Sequence, residues 1–518
     1  MKKAVFIFLL PLLICQSVHA DWPQWRGPLR NGTVPNSVAI PDELTEANAP
    51  IKEWESTEVP SDHYGGHGSL AVADGRVYLS VVWHADQPTE TRQIGSDVLS
   101  KLGNRGVSNI DPIIVADMEE QRVNLGRRMR GAALDEFAQK WVEDNLDKKT
   151  QLSLGSWVIS RFQKGKAAIS LSTFAVLNKN SKTVFENQAE MEAWVKAQQF
   201  DPSVEKQIID AVPNTKKIAT DVVICLDAES GKELWKHEVE GFPSGRGSSS
   251  TPAVSGGKVY AALSKGLYCV DAKTGKQLWV SPIPKKGPAS SPLVADGKVF
   301  LQANSLVAFD AITGGQAWEN KAVKGANQSP NFWKGVVICN SSKEVVGVDS
   351  KSGETLWQAP GGGDGTPVIS NDSLVISSKT DGKNLIAYQL NPEGPPTEKW
   401  SLDFMARRYG SSPIIFENHV YHLGSERHMC IELDSGKITW ERKAQSSISS
   451  PFLADGKIFV YENRGGFLAA IKASPDDYTS LGRAKVGALY CASPAIVGDK
   501  IFMRTSASVS CYQFQPSK

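Results

Sequence analysis

The stretch DAKTGKQLW (271–279) has near-copies along most of the chain: DAESGKELW (227–235), DAITGGQAW (310–318), DSKSGETLW (349–357) and ELDSGKITW (432–440). In each, an acidic residue precedes the tryptophan by eight positions and a glycine precedes it by four. Such recurrence at fixed internal spacing marks a repeat architecture, whose units bury their apolar faces only against one another. Each part of the stretch has a physical task. The run GLYCV (266–270) reads as a strand, and Asp271 opens a turn by accepting hydrogen bonds from the amides ahead of it. Gly275 supplies a positive backbone angle, and Leu278 with Trp279 starts the returning strand. A tryptophan at one place in every hairpin offers a large area for packing on the next unit.

The motif tryptophans fall at 235, 279, 318, 357, 400 and 440, with Leu481 next in the series and Trp54 before it. These positions define eight units. The last (491–514) stops short of its final strand, and IKEW (51–54) can supply it. Joining the two ends makes a ring and removes the open sheet edges of an unclosed array. A second register agrees with the first. Pro252, Pro292, Pro330, Pro367, Pro413, Pro451 and Pro494 each follow Ser or Thr and precede an apolar strand, with Leu70 after Ser69 in the eighth place. Proline is tolerated at the start of an edge strand, as the innermost strand of a blade is. Asp74-Gly75, Asp296-Gly297 and Asp455-Gly456 then read as tight turns joining the first two strands of a blade. The expected fold is all-β: an eight-bladed β-propeller closed by pairing of the N- and C-terminal strands, with a helical insertion in its first blade. At 518 residues the chain is too long for one ordinary core unless the architecture repeats.

The expected divisions are a leader (1–20), the N-terminal part of the propeller (21–85), a mainly helical insertion (86–219) and the remaining blades (220–518). In the insertion, LDEFAQKWVEDNL places Leu134, Phe137, Trp141 and Leu146 near one helical face. AEMEAWVKAQ (189–198) reads as a second helix. Asp201-Pro202 starts a third, with Val204, Ile208 and Val212 as its apolar stripe and Pro213 as its stop. Arg127, Arg128 and Arg130 read as a solvated basic face. Ahead of the first blade, DWPQWRGPLRNG (21–32) reads as an ordered lead-in lying across the domain.

Lys2 and Lys3, the apolar run 4–15 and Val18-His19-Ala20 have the form of a secretory signal cleaved after Ala20. Ile14 stands where a lipobox has a small residue, which argues against a lipid anchor on Cys15. The expected location is therefore exported, periplasmic or extracellular, with no membrane-spanning segment. The formal charge of +1 gives no field favouring nucleic acid. Of the six later cysteines, Cys225, Cys269, Cys430 and Cys511 fall at matching places in the repeat. Stacked sheets lie about 10 Å apart, beyond disulfide reach, so these read as buried free thiols. Cys339 and Cys491 fall elsewhere in the repeat and stay open to pairing.

The DxxTGxxxW repeats resemble the PQQ-type propeller repeats of quinoprotein alcohol dehydrogenases and, equally, those of BamB-like outer-membrane assembly propellers. The opening DWPQWRGP is similar to that of secreted bacterial PQQ-like repeat proteins. The dehydrogenase resemblance implies a quinone held over a tryptophan and under two adjacent disulfide-linked cysteines, with a calcium and a catalytic aspartate. This sequence has no adjacent cysteine pair and no C-x-x-C-H haem motif. The BamB-like resemblance implies a non-catalytic scaffold of the cell envelope that binds envelope or secreted proteins. That is the function expected here, without cofactor. The alternative is a PQQ-dependent alcohol or sugar dehydrogenase using PQQ with calcium.

The loops entering the innermost strands, at the channel mouth, read first as a solvated rim with ordinary surface charges; if the chain has a ligand site, it is expected there. Its candidates are His63, Tyr64, His67, Arg246, Arg407, Arg408, Tyr409 and Tyr490, with Lys285, Lys286, Asn327, Gln328 and Asp364 on the same loops. Cations and aromatics around one mouth suit a small anionic ligand. His63 and His67, with His84 and Asp86 beyond, do not make a metal site: Gly65 and Gly66 turn the first pair into a loop, where their spacing carries no information. No catalytic residue is assigned.

Overall fold

The computed structural model describes residues 21–35, 37–59, 66–126, 129–244, 248–404, 411–444, 449–462, 465–489 and 492–515. Among them are eight four-stranded antiparallel sheets. The first runs, innermost strand outward, through Ala71–Ala73, Arg76–Pro88, Thr215–Asp227 and Glu233–Glu240. The next six each take four consecutive strands between 253 and 485. The eighth takes Ala495–Val497, Lys500–Arg504 and Val509–Gln513, and its outermost strand is Ile51–Glu55 from the other end of the chain. In that pairing Ile51 lies opposite Gln513 and Trp54 opposite Cys511.

Each of the seven Ser/Thr-Pro prolines immediately precedes a three-residue innermost strand, and Leu70 precedes the eighth. The turns that follow are tight because their first residues sit at positive φ, as at Asp74 (51°), Asp296 (48°) and Asp455 (50°), each followed by a left-handed glycine. The apolar cores lie between the sheets. One cluster joins the first and second sheets through Tyr78, Val223, Val259 and Tyr268. Others bridge each successive pair as far as the sixth and seventh. The largest unites the seventh, eighth and first with Trp22, Ile40 and Leu44 of the lead-in.

At the far end of each motif hairpin the expected turn is present. Asp271 Oδ1 accepts from the amides of Lys273 (3.1 Å) and Thr274 (2.8 Å), and Gly275 has φ +72°. Gly275 lies against the tryptophan of the preceding sheet: a β-carbon there would come within 2.5 Å of the Trp235 ring. The Trp235 indole donates to Ala272 O (3.1 Å) in the same turn. Trp54 repeats this with Ala228 O and Gly231, Trp318 with Ser350 O and Gly353, and Trp400 with Leu433 O and Gly436. Trp279 lies against Gly314, but its indole nitrogen is buried without a partner, and the Tyr260 hydroxyl bonds Ala311 O (3.0 Å) instead.

The paired strands Arg76–Pro88 and Thr215–Asp227 stay in register out to Pro88 and Thr215, so the helical part spans 89–214. It contains α1 (Ser96–Lys101), α2 (Pro112–Asn124), α3 (Ala132–Asn145), α4 (Lys148–Lys164), α5 (Leu171–Lys179), α6 (Gln188–Ala197) and α7 (Pro202–Ala211). Helix α3 buries Trp141, and α7 is capped by Asp201, as their sequences predict. Two apolar clusters belong to the insertion alone, one on α2–α4 and one on α1 and α5–α7. Glu119 of α2 ties its first core together, accepting from Arg122 (2.7 Å) and Arg161 of α4 (2.5 Å). Across the molecule, Lys149 of α4 reaches Asp381 in the fifth sheet (3.0 Å).

Cys225, Cys269, Cys339, Cys430 and Cys511 are free and buried. Cys339, left open to pairing by the sequence, is thus unpaired, and burial pushes its thiol far up. Cys491 lies outside the described residues.

Candidate functional site

The Ser or Thr before each inner-strand proline has a job its position alone does not disclose. At seven of the eight places its backbone N–H donates to the equivalent hydroxyl of the next sheet. Ser69 donates to Thr251 (2.9 Å), Thr251 to Ser291 (3.0 Å) and Ser291 to Ser329 (2.9 Å). Thr366 donates to Ser412 (3.0 Å), Ser412 to Ser450 (3.2 Å) and Ser450 to Ser493 (3.1 Å). Ser493 donates to Ser69 (2.8 Å), linking the last sheet to the first. The result is a belt of hydroxyls passing from sheet to sheet at the entry of the innermost strands.

The lead-in runs along this belt. Trp22 makes an antiparallel bridge with Val72, and Pro23 O accepts from Val254 N. The Trp25 indole donates to Thr366 Oγ1 (2.9 Å), filling the belt at that hydroxyl. Arg26 donates to Ser412 O and Pro413 O (3.1 and 2.6 Å), and Arg30 to Ser291 O and Pro292 O (3.2 and 2.8 Å). Gly32 and Val34 bond Leu453. The lead-in therefore contacts six of the eight innermost strands or their entry residues. Arg26 and Arg30 both adopt positive φ, 62° and 51°, a local strain these contacts hold in place.

Arg504, at the end of Lys500–Arg504, donates to Gly68 O (2.9 Å), one residue before the belt. Arg26, Arg30 and Arg504 are each no more than 2% exposed, and burial lowers each guanidinium to about 9.

Of the residues predicted for the mouth, His67 is buried, and its backbone N–H donates to Ser249 Oγ (2.8 Å). His63, Tyr64, Arg246, Arg407, Arg408, Tyr409 and Tyr490 lie outside the described residues. Lys286 is exposed and stands over the Phe242 ring (4.2 Å). Gln328 is buried and donates to Gly363 O, while Asp364 pairs with Lys379. Sequence reasoning missed Arg504: in IFMRTS it reads as an ordinary strand-end arginine. Among the described residues no three His, Cys, Asp or Glu side chains gather as a metal site. No described helix is long and apolar enough to cross a membrane.

The fold and belt define a β-propeller of PQQ-like repeats. Residues 219–409, 302–476 and 388–512 match the family described as outer membrane protein assembly factor BamB. These overlapping matches take in more than half of the chain, and the protein belongs to that family. The BamB of Moranella endobia (strain PCIT) is 26% identical over 321 residues, covering 55% of this chain and 78% of that protein. Among solved structures, BamB from Moraxella catarrhalis is 16% identical, with a TM-score of 0.34 over 58% of this chain and 80% of that one. Quinohemoprotein alcohol dehydrogenase from Comamonas testosteroni is 14% identical, with a TM-score of 0.40 over 57% of this chain and 72% of that one.

Proposed function

We propose that this protein is an exported, non-catalytic, eight-bladed propeller, closed by its terminal strands, that serves as a protein-binding scaffold in the cell envelope. Its partners on this reading are components of outer-membrane protein assembly. The observation that carries the proposal is the family match from residue 219 to 512, which takes in the second to seventh sheets and the C-terminal strands of the eighth. Closure is supported by the Ile51–Glu55 pairing, by the Ser493–Ser69 link and by the core shared among the seventh, eighth and first sheets. The tryptophan contacts support a docking role for the motif, one sheet on the next. The insertion is the natural carrier of any contact special to this protein, because it stands outside the repeat.

The test uses the mature chain and a variant in which 90–213 is replaced by a two-residue turn. Pro88 and Thr215 are already paired neighbours, so the excision leaves the ring strands in place. Immobilised mature protein should retain outer-membrane assembly components from an envelope extract, and the excised protein should keep its β-sheet spectrum. Dye-linked alcohol oxidation after incubation with PQQ and calcium would overturn the non-catalytic reading. Failure to retain any assembly component would overturn the scaffold reading.

A further inference from the structure

Three guanidinium groups gather at the level of the hydroxyl belt. Arg504 binds the carbonyl just before Ser69, Arg30 the carbonyls of Ser291 and Pro292, and Arg26 those of Ser412 and Pro413. They approach the channel from the first, third and sixth positions around it. None of the three forms an ion pair with a described residue, and the Nε of each is buried without a partner. Arg26 and Arg30 offset their burial with three or more side-chain hydrogen bonds apiece. Arg504 makes one, and its Nη2 is buried and unpartnered as well.

A buried cation without counter-charge is among the costliest arrangements a fold can keep, and is ordinarily compensated by an anion or avoided. Leucine or methionine would fill the position of Arg504 without that penalty. We propose that the belt level of the channel, anchored by Arg504, is a binding site for the oxyanion group, carboxylate or phosphate, of a small molecule. Guanidinium suits both through its planar fork of donors, and Nε with Nη2 is one edge of that fork. Those nitrogens are shut off from solvent, so the site is reached only where the fold yields locally. It fits a small oxyanion that enters by local opening and excludes the face of a folded acidic protein. The inference goes beyond the scaffold role and holds whether or not an envelope partner is found.

Equilibrium dialysis of the mature protein with inorganic phosphate and with succinate, at constant ionic strength in chloride, tests it. One of the two should bind saturably at one per chain and raise the melting temperature as its concentration grows, as a ligand of the folded state must. Which one binds identifies the group. Arg504→Gln should weaken that binding at least tenfold. Arg504→Met should melt no lower than the wild type in chloride, yet gain nothing from the bound anion. Absence of saturable binding by either probe to the wild type, or undiminished binding by Arg504→Gln, would overturn the proposal. If Arg504→Gln fails to fold, Arg504→Lys, which keeps the charge but loses the fork, takes its place with the same expected loss.

Discussion

The repeated sheets and the insertion solve the same problem, burying apolar surface, by opposite means. Each apolar cluster of the sheets is shared by neighbours, and similar tryptophan contacts recur at successive interfaces. Stability is thereby spread over many equivalent joints. Among the described residues the insertion keeps two private cores and a buried ionic knot at Glu119, and its links to the sheets include the two strands it interrupts and the exposed pair Lys149–Asp381. Such a surface pair contributes little. The repeated sheets are built for redundancy and the insertion for independence.

Four substitutions would sharpen or break that contrast. Trp400 is buried, bonds Leu433 O (2.8 Å) and rests on Gly436, so Trp400→Ala should cost about 3–5 kcal/mol. Hydrogen exchange should rise at the fifth and sixth sheets and not in the insertion. Exchange rising in both regions would show them to be one cooperative unit.

Glu119→Ala should cost about 3 kcal/mol by stranding Arg122 and Arg161. Its effect should be confined to α2–α5, read by exchange or by limited proteolysis. Burial raises the Glu119 carboxyl, but the hydrogen bonds and charges of Arg122 and Arg161 together outweigh it and hold the group below its ordinary value. The linkage sign follows. The folded-state pKa is depressed, so the stabilisation is fully present above the unfolded value of about 4.3 and is lost as pH falls through the folded one. The insertion of the wild type should therefore loosen in acid below about pH 4 through this group, and that component should be missing from Glu119→Ala.

The smallest effect compares two tryptophans. Trp400→Phe removes a hydrogen bond worth about 1 kcal/mol, whereas Trp279→Phe removes an indole N–H that has no partner. Both lose similar ring area, so Trp279→Phe should be the milder by about 1 kcal/mol in denaturant titration. Equal costs would mean that packing, and not the indole bond, sets the joint.

Much of the ring was legible because repetition amplifies weak local signals. No single acidic-x-x-Ser/Thr-Gly turn identifies a fold, but five at one spacing, in step with seven Ser/Thr-Pro pairs, fix strand starts to the residue. The hydroxyl belt was half legible: the Ser/Thr preference was plain, but its partner is the next repeat's hydroxyl, a contact across sheets. In the insertion, α3, α6 and α7 announced themselves by an apolar stripe or an Asp-Pro start. Helix α4 did not, since Gly155, Ser153 and Ser156 dilute its pattern; its clearest mark is the Asp147 cap, which accepts from Lys149 and Thr150. The course of the lead-in and the burial of Arg504 depend on what surrounds them, and nothing local in DWPQWRGP or IFMRTS encodes that.

The register Ile51 to Gln513 sets the order in which this protein can mature. Strand Ile51–Glu55 is made long before the strand it pairs with, Val509–Gln513. Bringing such distant segments together is slow compared with forming a local hairpin. Until it happens, a nearly complete chain carries open strand edges on both flanks, the state most prone to join a second molecule. The vulnerable moment in the life of this protein is thus the interval before its ends meet, and changes near either end should lower yield more than they lower the stability of what does fold.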